Sequence, residues 1–178
     1  MNAFETLVSG VLRREGIWTY PSYKVLVSKE EKVKIGKPSM PRPEIDILGY
    51  RAPTNTLMWI ECKSYLDSTG VQRAAFDGSN AALASRFKVF TDPTYRRVAA
   101  SRLKRQTVAD GLASKAPSLE HWLVAGRIAP GSQVWVETYF ERKGWMLRDK
   151  SWIKDHLTTM AGEAYEDDAA SMVAKLLL

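Results

Sequence analysis

EIDILGY (44–50) and LMWIECKSY (57–65) are two apolar segments interrupted by charge, with APTN (52–55) between them. β-Branched and aromatic residues dominate both segments and APTN is turn chemistry, so the pattern predicts a hairpin. Side chains alternate across a strand. In EIDIL this sets Glu44 and Asp46 on one face and Ile45 and Ile47 on the other. In WIECKSY it sets Glu61 and Lys63 on one face and Ile60, Cys62 and Ser64 on the other. The hairpin can therefore gather Asp46, Glu61 and Lys63. Charges inside apolar strands are costly to bury unless they are paired or bound to metal. Two carboxylates are hard oxygen ligands suited to Mg²⁺, which lowers the pKa of a bound water and stabilises charge on a phosphate. A lysine beside the attacking water can orient it or stabilise the developing charge. The same trio could instead be a cross-strand salt bridge on an exposed face, although the apolar opposite faces argue that both strands are central.

Asp46, fourteen intervening residues and then Glu61-Cys62-Lys63 resembles the PD-(D/E)XK nuclease superfamily, which includes restriction endonucleases, Holliday-junction resolvases and RecB-type nuclease domains. The resemblance implies a restriction-endonuclease-like core: a helix, a strand, a hairpin carrying the motif, a helix and a further strand. It covers about residues 3–128. It also implies that Asp46 and Glu61 hold Mg²⁺, with Mn²⁺ as substitute, and that Lys63 is the catalytic lysine. The family often adds a glutamate from the first helix, and Glu5 stands at the matching place. The proline usual beside the aspartate is displaced to Pro43, which leaves Glu44 as a rival ligand. Gln72, near the start of the segment after the motif, is a possible accessory residue, as several relatives carry a polar site residue there. Glu5 also suits a helix's first turn through the macrodipole alone, and a glutamine at a helix start is commonly unremarkable.

Working outward, Phe4, Leu7, Val8, Val11 and Leu12 recur at helical spacing and predict a helix over 3–15 with Gly16 as its stop. Residues 17–28 read as a strand or irregular strand pair, which Pro21 keeps from being a regular central strand. EEKVKIGKPSMPRP (30–43) reads as a surface loop. Residues 70–85 read as a helix, 87–92 as a short strand or the end of that helix, and 93–112 as a second helix opened by Asp92 and Pro93. Strand 121–128, a helix over 131–142, a short edge strand in GWMLRD and a helical segment over 151–178 complete the chain. This order predicts a single α/β domain over 1–178, a mixed sheet with helices on both faces.

The chain has 178 residues, 45% of them hydrophobic and 26% charged, which suits one globular, soluble domain. No apolar run approaches the roughly 20 residues that span a bilayer, and the opening lacks a signal peptide's apolar centre, so a cytoplasmic protein without membrane contact is expected. Cys62 is the only cysteine and cannot form an internal disulfide; with two histidines, a structural zinc site is not expected. Cys62 reads as core filler and His121 as structural. Neither a nucleophilic triad, a P-loop nor a GxGxxG motif is present.

Net charge is +6, and residues 1–160 hold 25 bases against 16 acids. A basic body favours polyanions. Arg96, Arg97, Arg102, Lys104 and Arg105 fall on one predicted helix without an acid, mostly away from its Tyr95, Ala99 and Leu103 stripe. They are either a phosphate-contact surface or a solvated face. Lys24, Lys34, Lys37 and Arg42, with Tyr23, could add a rim. The expected function is Mg²⁺-dependent hydrolysis of DNA phosphodiesters by an endonuclease. Each site cuts one strand, so a homodimer or sequential nicking would be needed for duplex cleavage. Apolar residues of the C-terminal segment, among them Trp152, Leu157, Met172 and Leu176, suit either a partner or the core. The alternatives are a catalytically silent DNA-binding or assembly module, and a structural protein with an incidental salt bridge.

Overall fold

The structure is a computed structural model that describes residues 1–177. Five strands form one mixed sheet in the order β1 (Trp18–Lys24), β2 (Glu44–Arg51), β3 (Thr56–Lys63), β4 (Ser118–Ala125) and β5 (Met146–Arg148). β2 runs antiparallel to both β1 and β3, whereas β3, β4 and β5 are mutually parallel. β3 is the central strand, and its apolar run is buried along almost its whole length. β1 is an edge strand, where Pro21 costs no ladder hydrogen bond.

Sheet order follows chain order, so both parallel crossovers step the same way. A fixed crossover hand puts such connections on the same face. That face carries α5 (Pro93–Ala109) and α6 (Gln133–Arg142). Tyr95, Ala99, Leu103, Val136 and Phe140 pack there on Leu57, Trp59 and Leu123. The opposite face carries α1 (Ala3–Arg14), α7 (Lys150–Gly162) and α8 (Ala169–Leu177) over Ile47, Met58, Ile60, Trp122 and Val124. α1 opens with a capping box in which the Asn2 side chain accepts from Glu5 N while the Glu5 carboxylate accepts from Asn2 N at 3.0 Å. Among the described residues, no helix is long and apolar enough to cross a membrane.

Four expectations change. The stretch read as a loop holds α2 (Lys29–Lys34), because Ser28 and Glu31 form a second capping box that starts a short helix. The helix expected over 70–85 is broken: Val71 bridges Ile128, residues 73–75 make a 3₁₀ turn, and only α3 (Ala81–Ala84) is helical. Gly78, at φ +85°, ends the turn before a helix can propagate. Gln72 therefore opens a 3₁₀ turn rather than a helix. Residues 88–91 form α4 (Lys88–Thr91), the helical one of the two readings. The C-terminal helix is divided at 163–168, and Leu178 lies outside the described residues. Lastly, Ile45 and Ile47 do not share a face; they join opposite core clusters. Alternation breaks at Asp46, where the facing Ser22 takes φ +52° and the β2–β3 register ends at Ile47–Ile60.

His121 of β4 lies under α5 and stacks on Trp59. Its Nε2 is buried with no hydrogen-bond partner among the described residues. Burial, with help from Arg96 and Lys104, pushes its pKa down to about 4. A depressed pKa means the unfolded chain binds the proton more readily, so this residue's contribution is complete above about pH 6.5 and is lost as pH falls towards 4. In urea titrations at pH 7 and pH 4.5, His121→Phe is expected to remove roughly 2–3 kcal/mol of the acid-side loss. An equal loss in both proteins would show that His121 carries no such linkage.

Candidate active site

Asp46 stands where the β2–β3 ladder stops. Its Oδ2 accepts the Cys62 N–H at 2.8 Å, a bond that continued pairing would otherwise supply. The distorted strand thus turns a ladder position into a carboxylate held beside β3. From β3, the Lys63 ammonium lies 3.4 Å from Glu61 Oε2 and 3.7 Å from Asp46 Oδ2. The three side chains keep a minority of their surface open, 25% for Asp46, 16% for Glu61 and 20% for Lys63, so solvent and a small ligand can reach them.

Glu61 is fixed from the other side by an indole. Trp59 Nε1 donates to Glu61 Oε1 at 3.0 Å, and Trp59 itself is wholly buried. Tyr95, from α5, packs edge-on against that indole. Burial pushes the Glu61 carboxyl up, and the Asp46 charge adds to this, while the Lys63 ammonium pulls the other way. Burial would lower Lys63, but the Glu61 and Asp46 carboxylates outweigh it and hold the ammonium above the usual lysine range. Cys62 faces the opposite core, where burial and then the Asp46 and Glu5 charges push its thiol up, so it is no nucleophile here.

Asp46, Glu61 and Lys63 therefore come together. Glu5 is held by its cap, its oxygens accepting from Asn2 at 3.0 Å and 2.6 Å, and its charge acts on the Cys62 thiol. Glu44 is exposed opposite Lys24 at the start of β2, and Gln72 is half-buried beside the Val71–Ile128 bridge. Among the described residues no group of three or more His, Cys, Asp or Glu side chains stands in metal-binding geometry.

α5 crosses the whole face. Near its start Arg96 stacks on Trp145 and donates to Val89 O at 2.9 Å; near its end Gln106 binds Lys24 O. Of its five bases, Arg96 is thus tied to the core and Arg105 to Glu31, at 2.7 Å. Arg97 is exposed, while Arg102 and Lys104 are half-buried. In the expected rim, Tyr23 is buried and donates to Asp110, and Lys37 pairs with Asp92. Trp59 escaped the sequence reading, although its place two residues before Glu61 on the same strand face was the signal. Tyr95 stood on the apolar stripe of its helix, but only the fold lays α5 over β3 and brings it to Trp59. No protein-family model, no curated protein and no solved structure matches the chain.

Proposed function

We propose that the chain is a divalent-metal-dependent nuclease that hydrolyses DNA phosphodiester bonds on a restriction-endonuclease-like core. The observation that carries this reading is the convergence of Asp46 and Glu61 on one ammonium, that of Lys63. The donor set fits Mg²⁺ or Mn²⁺: two hard carboxylates already share a cation, and burial pushes the carboxyl of one of them, Glu61, up. Asp46 and Glu61 would hold the ion, and Glu5, whose oxygens each accept one bond from Asn2, keeps lone pairs that could join them. A bound divalent ion supplies charge neutralisation and a more acidic water. The protein's own groups do the rest. The Cys62 N–H and the Trp59 indole hold the two carboxylates in orientation. Lys63 directs the attacking water at phosphorus and offsets charge building on the phosphate oxygens. The exposed bases of α5 hold the DNA backbone, and duplex cleavage proceeds through a homodimer or by successive nicks.

A second reading has its own support. Lys63 already neutralises both carboxylates, which suits a silent DNA-binding or assembly module that keeps the trio as a strut. A panel of single-stranded, duplex, flap and four-way DNA, incubated with Mg²⁺ or Mn²⁺, separates the two. Cleavage of at least one substrate is expected, lost in Asp46→Asn. Metal-independent binding with no cleavage of any substrate would establish the silent module. A protein whose thermal stability responds to neither metal nor DNA would be structural.

A further inference from the structure

A second surface on the same side of the sheet has chemistry that the trio does not use. Trp135 and Tyr139, one helical turn apart on α6, stack at 5.0 Å with an interplanar angle of 11°. Arg73 lies over Trp135 at 5.0 Å and Lys143 over Tyr139 at 5.6 Å, giving a four-tier stack with a cation at each end. Beside it runs an open trough of about 400 Å³ whose lining includes both rings, Val134 and Arg142, and no carboxylate. Val134 is 75% exposed. Arg142 and Lys143 are exposed. Asp77 holds the edge of the Arg73 guanidinium at 2.9 Å, yet the side chain stays 57% exposed, so its outer plane is open.

The stack also adjoins the end of the sheet that carries Lys63. The Val71–Ile128 bridge lies beyond the ends of β3 and β4, and the turn holding Arg73 follows it directly. Arg73 N then donates to Ser132 Oγ at the start of α6. Trp135, Tyr139 and Tyr65 all pack on the core cluster that contains Trp59.

We infer that this trough takes single-stranded nucleic acid: an unpaired base lies on the open outer plane of Arg73, which the Trp135–Tyr139 stack supports from below, and the backbone follows Arg142 and Lys143. Only an unpaired base offers an open π-face, and stacking on aromatic or guanidinium planes is tolerant of sequence. The cationic rim complements the phosphates and is a poor match for a basic or neutral protein partner. This inference rests on the nuclease reading and narrows its substrate to strands that are single or locally opened.

The test is fluorescence anisotropy of labelled oligomers in EDTA. The probes are oligo-dT, an abasic oligomer of equal length and charge, the corresponding RNA oligomer and a duplex. The wild-type protein is expected to prefer oligo-dT to the abasic strand roughly tenfold, the size of one base stack. Trp135→Ala should erase that preference. Val134→Glu, which alters only an exposed side chain, should reduce it without touching the core. Arg142→Glu should weaken both strands alike. RNA binding as tight as that of DNA supports the same inference, because the stack reads bases and not sugars. Equal affinity for dT and abasic strands, tighter binding of the duplex, or an unchanged preference in Val134→Glu overturns it. The nuclease reading fails separately: a protein that keeps the base preference but cleaves nothing in Mg²⁺ retains the trough and loses the catalytic assignment. Cleavage without base preference does the reverse.

Discussion

Lys63→Ala is expected to lower the single-turnover rate of DNA cleavage in Mg²⁺ by roughly 10²–10⁴-fold, the range for losing a positioned group at the reacting atoms. The ammonium stands within 3.4 Å of Glu61 and 3.7 Å of Asp46 and nothing else in the trio is cationic. Its removal also leaves two neighbouring carboxylates unpaired. The variant should therefore be less stable than wild type without metal, and should gain more from Mg²⁺ than wild type does. DNA affinity in Ca²⁺ should change little. Charge reversal at Arg97 and Lys104 should do the opposite. Both lie outside the trio, and neither makes the structural contacts that occupy Arg96 and Arg105. Their reversal should weaken binding to every sequence and flatten its dependence on salt by about two units of slope, since each phosphate contact releases counterion. A Lys63→Ala protein that keeps the full saturated rate would make its match to the nuclease motif a coincidence. Reversals that leave the salt slope untouched would make α5 a solvated face.

Gly126→Ala is expected to cost about 3 kcal/mol of stability, the upper part of the range for overpacking. Gly126 follows β4 directly, and its N–H donates to Lys63 O at 2.9 Å. A Cβ there would lie 2.3 Å from Ser64 O. That neighbour is backbone, so no rotamer change relieves the clash, and β3 and β4 must part just where Lys63 emerges. Urea unfolding measures the cost. The variant should lose cleavage rate as well, even where it remains folded, because the strand carrying Lys63 has moved. A folded Gly126→Ala protein of wild-type stability would mean that the two strand ends are not held this closely.

The hairpin, the central place of β3, the capping of α5 by Asp92 and the shared face of Glu61 and Lys63 were legible in order and spacing. They rest on local rules: a period of two along a strand, turn residues between strands, and a proline after a capping aspartate. The short α2 was legible too, in the Ser28–Glu31 pair, but the charge and prolines around it masked the signal. The break over 70–85 was harder, because a few helical residues on either side of Gly78 look continuous until the left-handed backbone is seen.

What the sequence by itself determined is which groups share β3: Trp59, Glu61 and Lys63 recur every second residue, and strand geometry alone puts them on one face. The tertiary structure alone decided how those groups are held. Asp46 reaches the site through a break in alternation against Ser22, an event in two strands that no single strand's pattern encodes. Glu5 is oriented by its cap on Asn2. α5 presses Tyr95 onto Trp59 and spends two of its bases on internal contacts. The reason is physical: periodicity sets the direction of a side chain relative to its own backbone, whereas register, strand distortion and helix crossing set what it meets.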